Sequence, residues 1–246
     1  MLSSILTGWK DPAYVALILL RIPCVLLSLC IHESAHGWAA EKLGDPTARC
    51  TGRISLNPLR HFDPIGTICM VFFGFGWAKP VPVNARNFKE PKRDMALTAL
   101  AGPASNLGLA LIGGLLYQLL KNVYLAVGWL TGAGNALYLT APTALLSNFT
   151  QYSLMLFSVF CSLNIGLAIF NFIPVPPLDG SRICLLFLPD RVYFGLMRYE
   201  RYIMLAMLVL LWFGVLDIPL SWLTGVVYDG VMWLTGLIPN ALFRLL

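Results

Sequence analysis

Residues 13–43 read AYVALILLRIPCVLLSLCIHESAHGWAAEKL, and this stretch decides the architecture. A membrane span needs about 20 mostly apolar residues. The run from Ala13 through Ile31 meets that need, broken only by Arg21, and continues in helical composition to Leu43. At its inner end stands His32-Glu33-Ser34-Ala35-His36, an HExxH pattern inside an apolar helix. Residues four apart share a helical face, so both imidazoles can reach one metal ion while Glu33 addresses a water bound to it. Ionisable side chains are costly at membrane depth and usually mark function there. Two of the chain's three histidines stand in this motif.

The composition agrees with a membrane setting. Hydrophobic residues make up 58% of the 246 positions and charged residues only 12%, where a soluble domain carries about 25% charged residues. The 17 Lys and Arg outnumber the 12 acids, yet they cluster between apolar segments. That pattern reports orientation in a bilayer and gives no reason to expect nucleic acid as a partner. Cys24, Cys30, Cys50, Cys69, Cys161 and Cys184 form no CxxC pair and read as ordinary thiols. The N-terminus lacks a basic lead into a cleavable apolar core, so the first span is expected to remain as an anchor.

Further spans follow at Met95–Leu120 and Gln151–Ile173, with one or two more in Tyr202–Leu216 and Pro219–Leu237. The segment 122–150 is expected to lie at the outer surface. Ile65–Trp77 is too short to cross and has basic residues on both sides, so residues 65–87 read as a re-entrant element with both ends in the cytoplasm. Gly74, Gly76, Pro80 and Pro82, with alternating Val81 and Val83, suit a short extended hairpin. The expected fold is an all-α polytopic membrane bundle with a short re-entrant β-like loop. It forms a single membrane-embedded domain over residues 1–246, with a core of about 13–201 and the C-terminal span or spans in 202–246.

A catalytic zinc takes three protein ligands and keeps a position for water. Most remaining acids lie among basic residues or near span ends. Asp179 is different, because Pro174, Pro176 and Pro177 break the helix before it and Gly180 permits a turn after it. A broken helix can aim a side chain into the bundle, although a solvated aspartate in a helix-stop loop fits the same pattern. Asn106 and Asn171 stand in or beside apolar spans, where an unpaired amide is unfavourable. Each reads either as a group that orients water or stabilises an oxyanion, or as an interhelical hydrogen bonder or cap. Gly102 and Ala104 fit close helix approach. Arg21 shares a face with His32 and reads as a paired interior charge or a snorkelling side chain. His61 is expected at the interface.

Five stretches together resemble the site-2 protease family of intramembrane zinc metalloproteases: His32–His36, Leu43–Ala48, Gly52–Pro58, Ala101–Asn106 and Asn171–Gly180. The pairing of HExxH with the NxxPxPPLDG pattern is the most specific feature. The resemblance implies one Zn2+ per chain held by His32, His36 and Asp179, with Glu33 as catalytic base. It favours Asn171 over Asn106 in the oxyanion role and implies substrate-binding strands from Gly74-Phe75-Gly76 onward. The chain has no room for an inserted PDZ domain, so it is similar to the short PDZ-less bacterial branch.

The expected activity is hydrolysis of peptide bonds within or near transmembrane segments, in regulated intramembrane proteolysis or clearance of signal-peptide remnants. The implied partners are a transmembrane protein substrate and the lipid bilayer, with a homo-oligomer left open. The expected location is the bacterial cytoplasmic membrane, with the site opening to the cytoplasm. The alternatives are a membrane-embedded zinc protease acting on soluble tails, which would favour a downstream Glu or His ligand, and a non-enzymatic metal carrier, which would need several sites along a path.

Overall fold

The computed structural model describes residues 10–73, 77–130, 144–187 and 198–243, together with 189, 192 and 195. Its regular elements are all helical among the described residues. We label the main ones α1 Pro12–Lys42, α2 Pro64–Phe73, α3 Pro91–Leu130, α4 Ala144–Phe172, α5 Asp179–Ile183, α6 Glu200–Trp212 and α7 Asp217–Phe243. Among them, Pro12–Lys42, Pro91–Val127 and Asn148–Phe172 are long and apolar enough to cross a membrane.

α1 starts where Asp11 accepts a hydrogen bond from the Ala13 N–H, with Pro12 at the position whose own missing donor costs nothing. α3 is the centre of the bundle and packs against α1, α4 and α7. One apolar cluster joins Ile18, Val25 and Leu29 of α1 to Met70 and Val71 of α2. A second joins Ala110 of α3 and Cys161, Ile165 and Ile169 of α4 to Val231 of α7.

Two expectations are modified. α3 runs through Lys121 to Leu130, and α4 already begins at Ala144, so much of the segment expected at the surface extends these helices. Polar groups on either side of Lys121 find partners on α7: the Asn122 amide donates to Asn240 at 2.9 Å, and Gln118 donates to the Met232 carbonyl at 3.0 Å. Residues 131–143 lie outside the description. In the re-entrant element, the apolar part is helix α2, and residues 77–84 form neither helix nor paired strand. Pro80 and Pro82 remove two ladder donors, and the N–H groups of Lys79, Val81 and Asn84 bond elsewhere. Gly74, Phe75 and Gly76 lie outside the described residues.

Residues 77–84 are held from two sides. Lys79 N–H donates to the His61 carbonyl at 2.9 Å, and the Arg53 guanidinium donates to the carbonyls of Lys79 and Pro80 at 2.6 and 3.1 Å. On the other side α1 ends in a Schellman turn, with Gly44 at φ 111° and the N–H of Asp45 on the Ala40 carbonyl. That turn delivers Asp45 to a fully buried position. Its carboxylate accepts from the Asn84 N–H and the Asn87 amide, each at 2.7 Å, and from the N–H and hydroxyl of Thr47.

Burial alone would raise the Asp45 pKa, but these donors outweigh it and hold the carboxyl below the usual carboxylate range. A depressed folded value means that the stabilisation is complete above about pH 4, the unfolded value, and is lost as pH falls through the folded one. Asp45→Ala removes the charged acceptor of the Asn84 N–H and the Asn87 amide; both residues are exposed and can turn to water, so the loss is about 1–3 kcal/mol in all. Thermal unfolding in detergent at pH 6 should therefore show a clearly lowered midpoint. An unchanged midpoint would contradict the clamp.

Candidate metal centre

Three side chains from two distant parts of the sequence meet between α1, α3 and the start of α5. His32 Nε2 and His36 Nε2 lie 3.1 Å apart, and Asp179 Oδ2 lies 3.2 Å from each. Helical spacing puts the two imidazoles on one face. The proline-broken segment after α4 brings Asp179 back to them, because α5 can begin only beyond Pro177.

Hydrogen bonds behind the rings fix which atoms face inward. His36 Nδ1 lies 2.7 Å from the Thr98 carbonyl, which can only accept, so Nδ1 carries the hydrogen. The Asn106 side-chain oxygen sets His32 in the same way across 3.3 Å. With the hydrogen on Nδ1, each ring in its neutral form presents a lone pair at Nε2. Asp179 Oδ2 is buried and accepts no conventional hydrogen bond. Three lone-pair atoms only 3.1–3.2 Å apart repel one another unless a cation lies among them. A tetrahedral zinc with bonds of about 2.0–2.1 Å sets its ligand atoms roughly 3.3–3.4 Å apart, close to this spacing. These residues fit such an ion.

The space for the rings is made by α3. A Cβ built on Gly102 would overlap the His36 Nε2 edge and stand 2.7 Å from His32 Cε1. Gly102→Ala should therefore displace both rings and sharply reduce metal content, measured by elemental analysis of the purified protein, while helicity is retained. Full metal content would mean that the glycine matters only for helix approach. Sequence reasoning assigned Gly102 to helix approach alone; its place beside HExxH becomes visible only once α3 crosses α1.

Glu33 stands beside the cluster, and its Oε2 accepts the Val81 N–H at 2.9 Å. Asn171 lines the same cavity but donates its amide to the Leu167 carbonyl one turn back at 2.9 Å. Asn106 is fully buried behind His32. His61 stands apart from this cluster. It is buried and donates through Nε2 to the Ser55 carbonyl at 2.8 Å. Ser34, between the two motif histidines, bonds the Ser55 backbone, so the HExxH helix also anchors the loop that carries Arg53.

A cavity of about 1150 Å³ opens from the cluster between α1, α4 and α7. Its walls include Glu33, Trp77, Val81, Val83, Asn171 and Asp179, so residues 77–83 form one side of the space in front of the His32, His36 and Asp179 cluster.

The fold and site define a helical membrane protein with an HExxH helix completed by a distant aspartate. The model of Peptidase family M50 matches residues 21–214, and the chain belongs to that family. It is 39% identical over 186 residues to "Putative zinc metalloprotease YwhC" of Bacillus subtilis, covering 76% of this chain and 77% of the relative. It is 28% identical over 222 residues to "Putative zinc metalloprotease Rip2" of Mycobacterium tuberculosis, covering 88% of this chain and 74% of the relative. No solved structure matches significantly. The chain is an integral membrane protein of a peptidase family.

Proposed function

We propose that this protein is an intramembrane zinc metalloprotease that hydrolyses peptide bonds within or near transmembrane segments of membrane-anchored proteins. The observation that carries the reading is the convergence of His32 Nε2, His36 Nε2 and Asp179 Oδ2, 3.1–3.2 Å apart, beside Glu33 and at the wall of a cavity between membrane helices. The family and the names of its two relatives support zinc as the ion.

Bound zinc would lower the pKa of a water molecule and polarise the scissile carbonyl. Glu33 takes the water's proton and passes it to the leaving amine. The Val81 N–H on Oε2 holds that carboxylate in place, and Thr98 and Asn106 hold the imidazoles. Asn171, in the cavity wall, is the candidate to orient water or stabilise the oxyanion once its amide leaves the Leu167 carbonyl. A substrate helix hides its peptide bonds, so it must unwind. Residues 77–83, which pair with no strand among the described residues, are suited to receive the unwound segment by backbone pairing, with Gly74-Phe75-Gly76 preceding them in sequence.

The substrates are membrane-anchored regulators or signal-peptide remnants. The basic loops support an orientation with the HExxH end of α1 towards the cytoplasm, in the cytoplasmic membrane of a bacterial cell. The protein acts alone or as a homo-oligomer, as one membrane-embedded domain over residues 1–246. Membrane fractions from cells with wild-type protein and with Glu33→Gln test the function. Truncated transmembrane fragments should accumulate only with the variant, as read by mass spectrometry. Identical fragment sets would contradict it.

A further inference from the structure

Arg21 is a cation in the middle of an apolar helix, and the metal centre does not use it. It lies eleven residues before His32, or about 16 Å at 1.5 Å per residue, and both side chains line the same cavity. Its guanidinium has five N–H donors. The hydrogen bond it makes is a 3.5 Å contact from Nη1 to the Val71 carbonyl, at the limit of such a bond. Among the described residues it has no carboxylate within ion-pair distance. The sequence allowed a paired interior charge; the structure instead leaves the cation facing the cavity.

The surroundings at that depth are polar. Ser162 and Ser158 of α4 stand nine and thirteen residues before Asn171, about 14 and 20 Å along a helix whose C-terminal end, like that of α1, leads to the metal centre. Both line the cavity, and Ser158 Oγ lies 3.0 Å from the Tyr228 hydroxyl. Asp217 also lines the cavity, at the first turn of α7, and makes no ion pair with Arg21. Arg182, the other arginine of the lining, follows Asp179 by three residues and belongs to the metal end.

We propose that Arg21, with Ser158 and Ser162 at its depth in the cavity wall, forms a carboxylate-binding subsite for the peptide substrate, at the end of the cavity remote from His32 and Glu33. A guanidinium binds a carboxylate through two parallel hydrogen bonds, which are strong away from water. Since the cavity is continuous, an extended peptide can reach both ends. At about 3.3 Å per residue, five residues separate the scissile bond from the group held by Arg21. The carboxylate comes either from an Asp or Glu side chain or from the peptide's own C-terminus. This rests on the protease reading and adds substrate selection to it.

The test measures binding by the full-length Glu33→Gln protein in lipid nanodiscs, so that it does not depend on turnover. The probes are apolar peptides of about 20 residues, carrying one Asp or its Asn counterpart at successive positions, or ending in a free acid or an amide. At least one acid should bind about tenfold tighter than its neutral twin, and the two series identify which source of carboxylate is taken. Adding Arg21→Gln should remove that difference without changing the neutral peptide's affinity, and Arg21→Lys should restore part of it. Equal affinities for every acid and neutral pair, or an equal loss for both in Arg21→Gln, would overturn the proposal. Failure of the protease reading would look different: acid preference would persist, but the wild-type protein would cut none of the bound peptides.

Discussion

Glu33→Gln is expected to keep zinc near one ion per chain while cleavage of a transmembrane substrate falls by about 10²–10⁴-fold, the usual contribution of a positioned acid–base group. The substitution keeps size and leaves His32, His36 and Asp179 in place. The new amide can still accept the Val81 N–H that Glu33 Oε2 now accepts, so the segment 77–83 has no reason to move. What is lost is the capacity to take a proton from water. Elemental analysis and a cleavage assay on the same preparation separate these effects. Cleavage at the wild-type rate would mean that Glu33 is not the base.

Asp179→Ala and His32→Ala should both lose metal and, with it, activity. Removing one of three converging donors weakens binding itself, so metal content after dialysis should fall below about a tenth of an ion. Asn106→Ala is a graded control. It leaves the three donors in place and removes the acceptor behind His32 Nδ1, and losses of this kind are about 10–100-fold in affinity. The order expected from competition with a chelator is therefore wild type, then Asn106→Ala, then the two ligand variants. Full metal content in Asp179→Ala would place the third ligand elsewhere and undo the geometry argued from the three lone pairs.

The membrane helices and the HExxH face were legible because both depend on local spacing: a long apolar run and a four-residue interval. Asp179 was legible as a candidate because prolines break the chain before it, but whether it turned inward or to solvent depended on packing that spacing does not encode. Gly102 shows the limit more sharply. A glycine in a membrane helix reads as close packing, and only the crossing of α1 and α3 shows that the space holds imidazole edges. Asp45 and Arg53 read as ordinary interfacial charges, yet their partners, Asn84, Asn87 and the Lys79 and Pro80 carbonyls, lie 26 to 42 residues away. The length of α3 was underestimated because Lys121 looked like a span end. A helix can pass through such a residue when a neighbour such as α7 satisfies the polar side chains on either side of it.

The central claim is hydrolysis at membrane depth by the centre built from His32, Glu33, His36 and Asp179. Mass spectrometry of the products made from a fragment-derived transmembrane substrate, reconstituted in lipid vesicles with the purified zinc-loaded protein, locates the scissile bond directly. The account predicts a cut inside or at the edge of the apolar segment, present with wild-type protein and missing with Glu33→Gln. A cut confined to a soluble tail far from that segment, or one made equally by the Glu33→Gln protein, would contradict it.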